Sequence, residues 1–264
     1  MALLDCESIA TTYRSLAAIY GLSRPELDEV LDDLTQHAFR HPDFGPGSQG
    51  DQVVLDRLRK VAPKPQFDGV CWFHLTRVPP DEEFSAGLVP VIDRLDQLWD
   101  MLYRIIPTTF ERAEWNRFRD SLQSSTHHYA GLYRLKTSKR GMSGPYGLLF
   151  KQIIKKPGHS CAHYLRTPET VEDICICFKD AYGIDLQGEF QRRTQPKVVK
   201  FRHAQARPDT LVEAAYLLHL SRRKLNTRGI MPTSFDGNGA AISKADILKI
   251  EALADTSKTK VRRA

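Results

Sequence analysis

The run Gly69-Val70-Cys71-Trp72-Phe73-His74-Leu75 constrains this chain more than any other stretch. It is apolar at nearly every position, and Pro79-Pro80 followed by the acidic turn Asp81-Glu82-Glu83 ends it before Gly87. Such a run, closed by a proline break, reads as a buried strand. Side chains alternate along a strand, so His74 and Thr76 share a face with Trp72, while Phe73, Leu75 and Arg77 face the other way. A histidine buried beside a threonine is commonly a hydrogen-bonded core residue. An arginine at the strand's edge is harder to explain as core, and its planar fork suits a diphosphate or a carboxylate.

The surroundings of that strand set the fold class. Residues 6–20 and 24–40 read as amphipathic helices, the second opened by Ser23 as N-cap with Pro25 in the first turn and Leu27, Val30, Leu31 and Leu34 at helical spacing. A Gly/Pro-rich loop (41–50) and a third short helix (51–60) follow. Together they make an acidic helical region, 1–66, that ends at the linker Ala62-Pro63-Lys64-Pro65-Gln66. Past the strand, 79–84 reads as a turn into one short helical turn, with Gly87 as its C-cap. Helices are expected over 93–106, with Leu95, Leu98, Trp99 and Leu102 on one face, and over 111–123. A strand is expected from Tyr146 onward. A helix from Thr167 (N-cap), Pro168 and Glu169 to about Ala181, a strand over 196–201 and a helix over 209–223 come next. A Gly-rich loop (235–247) then precedes a last helix. Regular strand–helix alternation is missing, which predicts an α+β fold, with 67–254 as the main domain and 255–264 as a basic flexible tail.

No apolar run among the 264 residues reaches the ~20 needed to span a bilayer, and the N-terminus lacks a basic-then-apolar leader. With 41% apolar and 27% charged residues and an odd five cysteines, the composition is that of a globular cytoplasmic protein with reduced thiols and no membrane association. The net charge of +6 conceals a division: residues 1–132 hold 13 Lys and Arg against 20 Asp and Glu, and residues 133–264 hold 25 against 12. The C-terminal half therefore carries +13. A basic surface of that size suits a phosphate-bearing partner, nucleic acid first. Arg134, Lys136, Lys139 and Arg140 beside Tyr133 form the segment best suited to unstacked bases of single-stranded RNA, with further basic character at 192–194, 200–203 and 221–228.

The stretches Phe73-His74-Leu75-Thr76-Arg77, Phe84-Ser85-Ala86-Gly87-Leu88 and Ser143-Gly144-Pro145-Tyr146-Gly147-Leu148 resemble the ADP-ribosyltransferase family. The chain is similar in particular to RNA-modifying ADP-ribosyltransferase toxins of bacterial anti-phage toxin–antitoxin–chaperone systems, over about residues 70–202. The resemblance implies a split, mixed β-sheet core with NAD as substrate. It implies that His74 bonds the nicotinamide ribose, Thr76 supports it and Arg77 holds the pyrophosphate. Tyr146 would stack on nicotinamide, and Gly144 and Gly147 would admit close backbone approach. A toxin of this kind implies neutralising antitoxin and chaperone partners, for which the acidic 1–66 region is a docking place. The sequence departs from the family where a catalytic glutamate is expected, since the strand Pro196–Phe201 has none. Glu169 and Glu172 remain as candidates, although a first-turn glutamate also serves simply to offset a helix dipole.

Two other readings stay open. One is a nuclease using His74, Arg77 and the acids of 169–173; the other is a nucleic-acid-binding module without chemistry. His159, Cys161, His163, Cys175 and Cys177 do not match a standard zinc spacing, and no metal is assigned. Cys175 and Cys177 lie in an apolar helical run and behave as small hydrophobes. Cys71 and Cys161 lack a context for a nucleophile. The stretch from Asp236 fails as a calcium loop, with Ala240 fifth and Ile247 twelfth, and 141–147 lacks the ending of a phosphate-binding loop.

Overall fold

The computed structural model describes residues 2–37, 49–62, 65–107, 109–139, 142–154, 160–204, 208–224 and 234–254. Arg140, His159, most of the 41–50 loop and the basic tail lie outside them. The fold is α+β. In chain order the elements are β1 (Leu3–Asp5), α1 (Ile9–Tyr20), α2 (Arg24–His37), α3 (Gln49–Val61), β2 (Gly69–Val78), α4 (Leu95–Ile105), α5 (Arg112–Ser121) and α6 (His128–Ser138). They continue with β3 (Tyr146–Leu148), α7 (Lys151–Ile154), α8 (Glu169–Tyr182), α9 (Leu186–Arg193), β4 (Gln195–His203), α10 (Pro208–Arg222), β5 (Ser234–Asp236) and β6 (Ile247–Ala252). The strands run in the order β5-β3-β2-β4-β6, with β1 pairing β2. β1 lies parallel to β2, Leu4 opposite Val70, and β3 antiparallel to it, Phe73 opposite Leu148. No described helix is long and apolar enough to cross a membrane.

Two compact units form, each from separated stretches. The first draws on described residues within 1–73, 147–159 and 201–235. Its helices α1, α2, α3 and α10 bury Leu16, Ile19, Leu27, Leu31, Leu34, Leu58, Val212 and Leu218, as the leucine spacing of α2 predicts. Trp72 and Phe201 both pack on the Phe235 ring, at centroid distances of 5.7 and 5.2 Å. Helix α1 opens on a capping box: the Ser8 hydroxyl accepts from the Thr11 amide at 3.1 Å, and the Thr11 hydroxyl accepts from the Ser8 amide at 2.9 Å. Ser8→Ala should lower unfolding stability by ~1 kcal/mol, read as a lower urea midpoint with an unchanged slope.

The second unit draws on 74–146, 160–200 and 236–264. Its core is aromatic, with Trp99, Trp115, Phe118, Tyr133, Phe178 and Phe190 among its buried residues. Trp99 and Trp115 rings meet at 4.9 Å, and the Trp99 indole N–H donates to the Tyr133 hydroxyl at 3.0 Å. Cys175 and Cys177 are buried in this core, as their apolar run predicts, and burial raises both thiols, Cys177 to about 11.

Several expectations are corrected here. Residues 79–84 form a turn at Pro80-Asp81 and no helical turn, and Gly87 donates its amide to Phe84 O at 2.8 Å instead of ending a helix. The last element is a strand: Ile247–Ala252 forms β6 beside β4, with the Leu253 amide on Pro196 O at 2.9 Å. Pairing with an available sheet edge overrides the helix preference of its Leu, Lys, Glu and Ala residues. The strand at Tyr146 stops after Leu148 and gives way to α7. Helix α6 occupies most of the segment read only as a basic run; its apolar spacing is weak, and it buries only Ala130 and Tyr133.

Candidate active site

β2 is buried from Gly69 to Arg77 with one interruption, His74. The strand is therefore packed on both faces, and the histidine marks its opening. His74 Nδ1 lies 2.7 Å from the backbone carbonyl oxygen of Tyr146. A carbonyl only accepts, so Nδ1 carries the proton and donates. Burial holds the imidazole below the ordinary histidine range, and the bond to the Tyr146 carbonyl offsets only part of that. At neutral pH the ring is thus uncharged, with an unprotonated Nε2 able to accept a hydrogen bond.

Tyr146 is itself exposed, at 45% of its surface. Its hydroxyl donates to Met142 O at 3.0 Å, which fixes the ring direction. Gly144, at φ +73°, sits in the left-handed region, and a Cβ there would stand 3.2 Å from the Tyr146 ring, so a larger residue would be both strained and crowded. The same turn is held by the loop after β5, with Gly237 N donating to Pro145 O at 2.9 Å and Gly239 N to Gly144 O at 3.1 Å. That loop showed only as Gly-rich in the sequence; bracing the tyrosine turn is its place in the structure. Burial raises the Tyr146 phenol first, and the charges of Asp236 and Glu169 raise it further.

Glu169 is the first residue of α8. The sequence put Thr167 at the N-cap and Pro168 in the first turn; the helix instead starts one residue later, with Pro168 as N-cap and no side-chain cap. The buried Thr167 hydroxyl oxygen accepts from the side-chain amides of Gln187 and Gln191, each at 3.0 Å. The Glu169 carboxylate accepts from the Tyr164 hydroxyl at 2.9 Å and lies 3.4 Å from Lys136 Nζ and 3.6 Å from His163 Nε2. Burial alone would raise its carboxyl, but the Tyr164 hydrogen bond and the Lys136 charge outweigh this and hold it below the usual range. Glu172 is half-buried one turn on, its charge felt at Asp173 and Cys175. Tyr164 and His163 went unread as partners of Glu169, and Asp173 as the partner of Lys136. The local signal was the run His163-Tyr164 five and six residues before the glutamate.

The other sequence-predicted residues lie elsewhere. Thr76 is buried. The guanidinium of Arg77, expected to meet a diphosphate, is 4% exposed and meets protein acceptors instead. Nε donates to Thr194 Oγ1 at 2.9 Å, Nη1 to Leu165 O at 3.2 Å, and Nη2 to Thr194 O at 3.1 Å and to Gln191 O. Gln191 and Thr194 stand at the C-terminal end of α9, where carbonyls lack helical partners and carry partial negative charge. The same placement leaves no exposed guanidinium at this position for a nuclease. Gly147 is buried, with the space for a side chain filled by Trp72 Cβ at 3.0 Å and the Phe201 ring at 3.1 Å, so its closeness serves packing within the protein.

The basic run divides. Arg134 donates to Leu122 O and, at 2.9 Å, to Ser125 O, closing the end of α5. Lys136 is turned inward, and Lys139 is exposed. A cavity of about 410 Å³ lined by Pro80, Arg192, Arg193, Thr194, Gln195 and Leu253 contains none of the candidate catalytic residues. Comparison with protein-family models, with curated proteins and with solved structures finds no match to this chain.

Proposed function

We propose that this protein is an ADP-ribosyltransferase that uses NAD to modify nucleic acid, RNA before DNA, as a toxin of anti-phage defence. The observation that carries the reading is the pairing of His74 with Tyr146 at 2.7 Å in an otherwise buried strand, beside an exposed tyrosine ring. His74 Nε2 accepts a hydroxyl of the nicotinamide ribose, and the Tyr146 ring gives nicotinamide a face to stack on. The bond between ribose C1′ and the nicotinamide nitrogen then breaks, and nicotinamide leaves with the bonding electron pair. The acceptor atom of the nucleic acid forms the new bond to C1′ and gives up its proton. The ionised Glu169 carboxylate stabilises the positive charge that develops on the ribose and takes that proton.

The net +13 of residues 133–264 favours a polyanionic acceptor. With Arg134 and Lys136 engaged internally and Arg192 and Arg193 lying against Glu189, exposed Lys139, Arg166 and Lys179 are among the described cations that can meet it. A toxin of this kind works in the cytoplasm and needs antitoxin and chaperone partners, with the acidic residues of 1–66 as their docking place.

Incubation of the purified protein with labelled NAD and, separately, total RNA, DNA and lysate protein tests the reading. Label on RNA is the expected result; label on protein alone would move the substrate class. NAD left intact with cleaved RNA would point to the nuclease.

The pH profile gives a second check. With its pKa lowered, His74 should keep kcat/KM level down past the ordinary histidine value of ~6.5, with loss only in more acid solution. A break above ~6.5 would assign the limb to another group. The linked stability has the same sign. Below ~6.5 the unfolded chain binds the proton that the folded one resists, so this contribution is present above that pH and lost as pH falls towards the folded value.

A further inference from the structure

Lys136 was read from sequence as a contact to nucleic acid, and in the structure only 18% of its side chain is exposed. It projects from α6 onto α8, where its ammonium sits 2.7 Å from Asp173 Oδ2 and 3.4 Å from Glu169 Oε2. Asp173 is one turn of helix beyond Glu169, and its side chain is only 4% exposed. One ammonium thus bridges a buried carboxylate and a half-exposed one on the same face of one helix.

The two oxygens of Glu169 are then treated differently. Oε1 takes the Tyr164 hydroxyl at 2.9 Å, with His163 Nε2 at 3.6 Å, and Oε2 faces Lys136. A carboxylate gripped at both oxygens from two separate elements has little rotational freedom. The grip from the α6 side persists because Asp173 anchors the lysine from beneath.

We propose that Lys136 is a positioning residue for Glu169: seated on the buried Asp173, it aims and charges the carboxylate that serves the transfer reaction, and does not bind the nucleic acid. The inference rests on Glu169 as the reacting carboxylate. The charged and titratable groups facing Glu169 are Lys136 from α6, Tyr164 and His163 from the segment before α8, Asp173 and Glu172 on α8 itself, and the Tyr146 phenol. Among these Lys136 supplies the one permanent positive charge, so its removal should make Glu169 easier to protonate.

The deciding experiment pairs two readouts on the intact protein. One is titration of the Glu169 side-chain carboxyl carbon by NMR without substrate, and the other is kcat for label transfer from NAD against pH. Lys136→Met alone leaves Asp173 buried without its partner and risks unfolding, so the main variant is Lys136→Met with Asp173→Asn, which removes both charges together. Lys136→Arg keeps the charge.

In the double variant the Glu169 midpoint should move to higher pH. Its kcat should fall on the order of 10- to 100-fold, with the acid limb following the midpoint, while RNA affinity stays level. Lys136→Arg should recover most of the activity. Judged against Asp173→Asn alone, which removes the opposing carboxylate, an unmoved Glu169 midpoint would overturn the proposal and leave Lys136–Asp173 a packing pair. A moved midpoint with unchanged kcat would overturn the catalytic part. Weakened RNA binding with kcat intact would return Lys136 to the nucleic-acid surface. If wild-type protein transfers no label, the enzymatic reading fails, and with it the positioning role. The titration would still report whether Lys136 controls the ionisation of Glu169.

Discussion

Replacing Arg77 with alanine is expected to lower unfolding stability by about 4 kcal/mol, a large share of the ~5–15 kcal/mol that holds a typical domain folded. The side chain is 4% exposed and donates to four acceptors on two separate segments, Leu165 O before α8 and the Gln191–Thr194 end of α9. Truncation takes the donor from two buried acceptors on Thr194, each worth about 1–3 kcal/mol, and from the part-buried carbonyls of Leu165 and Gln191, and relaxation recovers part of the loss. Arg77→Lys should lose most of the same stability, because one compact ammonium cannot reproduce a planar fork that reaches four acceptors. Leu165 lies four residues before Glu169, so the loss should also loosen the approach to the site. Denaturant melts of both variants check this. An Arg77→Ala protein with an unchanged urea midpoint and a raised KM for NAD would show that the guanidinium holds the pyrophosphate after all.

Glu169→Gln is expected to reduce label transfer from NAD by roughly 10²–10⁴-fold with little change in stability. Its side chain is 40% exposed, glutamine still accepts from the Tyr164 hydroxyl, and Lys136 keeps its closer partner Asp173. Only the negative charge is lost, and in the proposed transfer reaction that charge is what would meet the developing oxocarbenium character of the ribose. Glu172→Gln is the matched control, one turn along the same helix, and should retain activity. Single-turnover rates for both, alongside thermal melts, settle which carboxylate works. Loss of transfer in Glu172→Gln with Glu169→Gln intact would reverse the assignment.

The site was legible in pieces. His74 stood out because one imidazole interrupts an apolar strand, and Tyr146 only through the resemblance of the stretch Ser143–Leu148 to the family. The chain turn at Gly144 then brings the Tyr146 carbonyl to His74 Nδ1, a contact across 72 residues. Spacing could not separate Glu169 from Glu172; the Tyr164 hydroxyl and the Lys136 ammonium that meet Glu169 are why it is the proposed carboxylate. The basic run at 133–139 misled because charge is visible in sequence while direction is not. Lys136 points inward to a carboxylate 37 residues away, Arg134 closes a helix end, and Lys139 faces water.

By itself the sequence determined what depends on neighbours within a turn or two. Apolar spacing placed α2, α4 and α10, a run ended by prolines placed β2, and the count of charges separated an acidic half from a basic one. Tertiary structure decided everything that depends on which distant groups meet. It made Ile247–Ala252 a strand, because a sheet edge at β4 satisfies its backbone. It moved Arg77 from a ligand contact to a clamp on Thr194, 117 residues away, because a buried guanidinium must find acceptors and the end of α9 offers them. Local propensity amounts to about 1 kcal/mol or less per residue, and an unpaired buried charge costs several, so where the two compete the packed partners prevail.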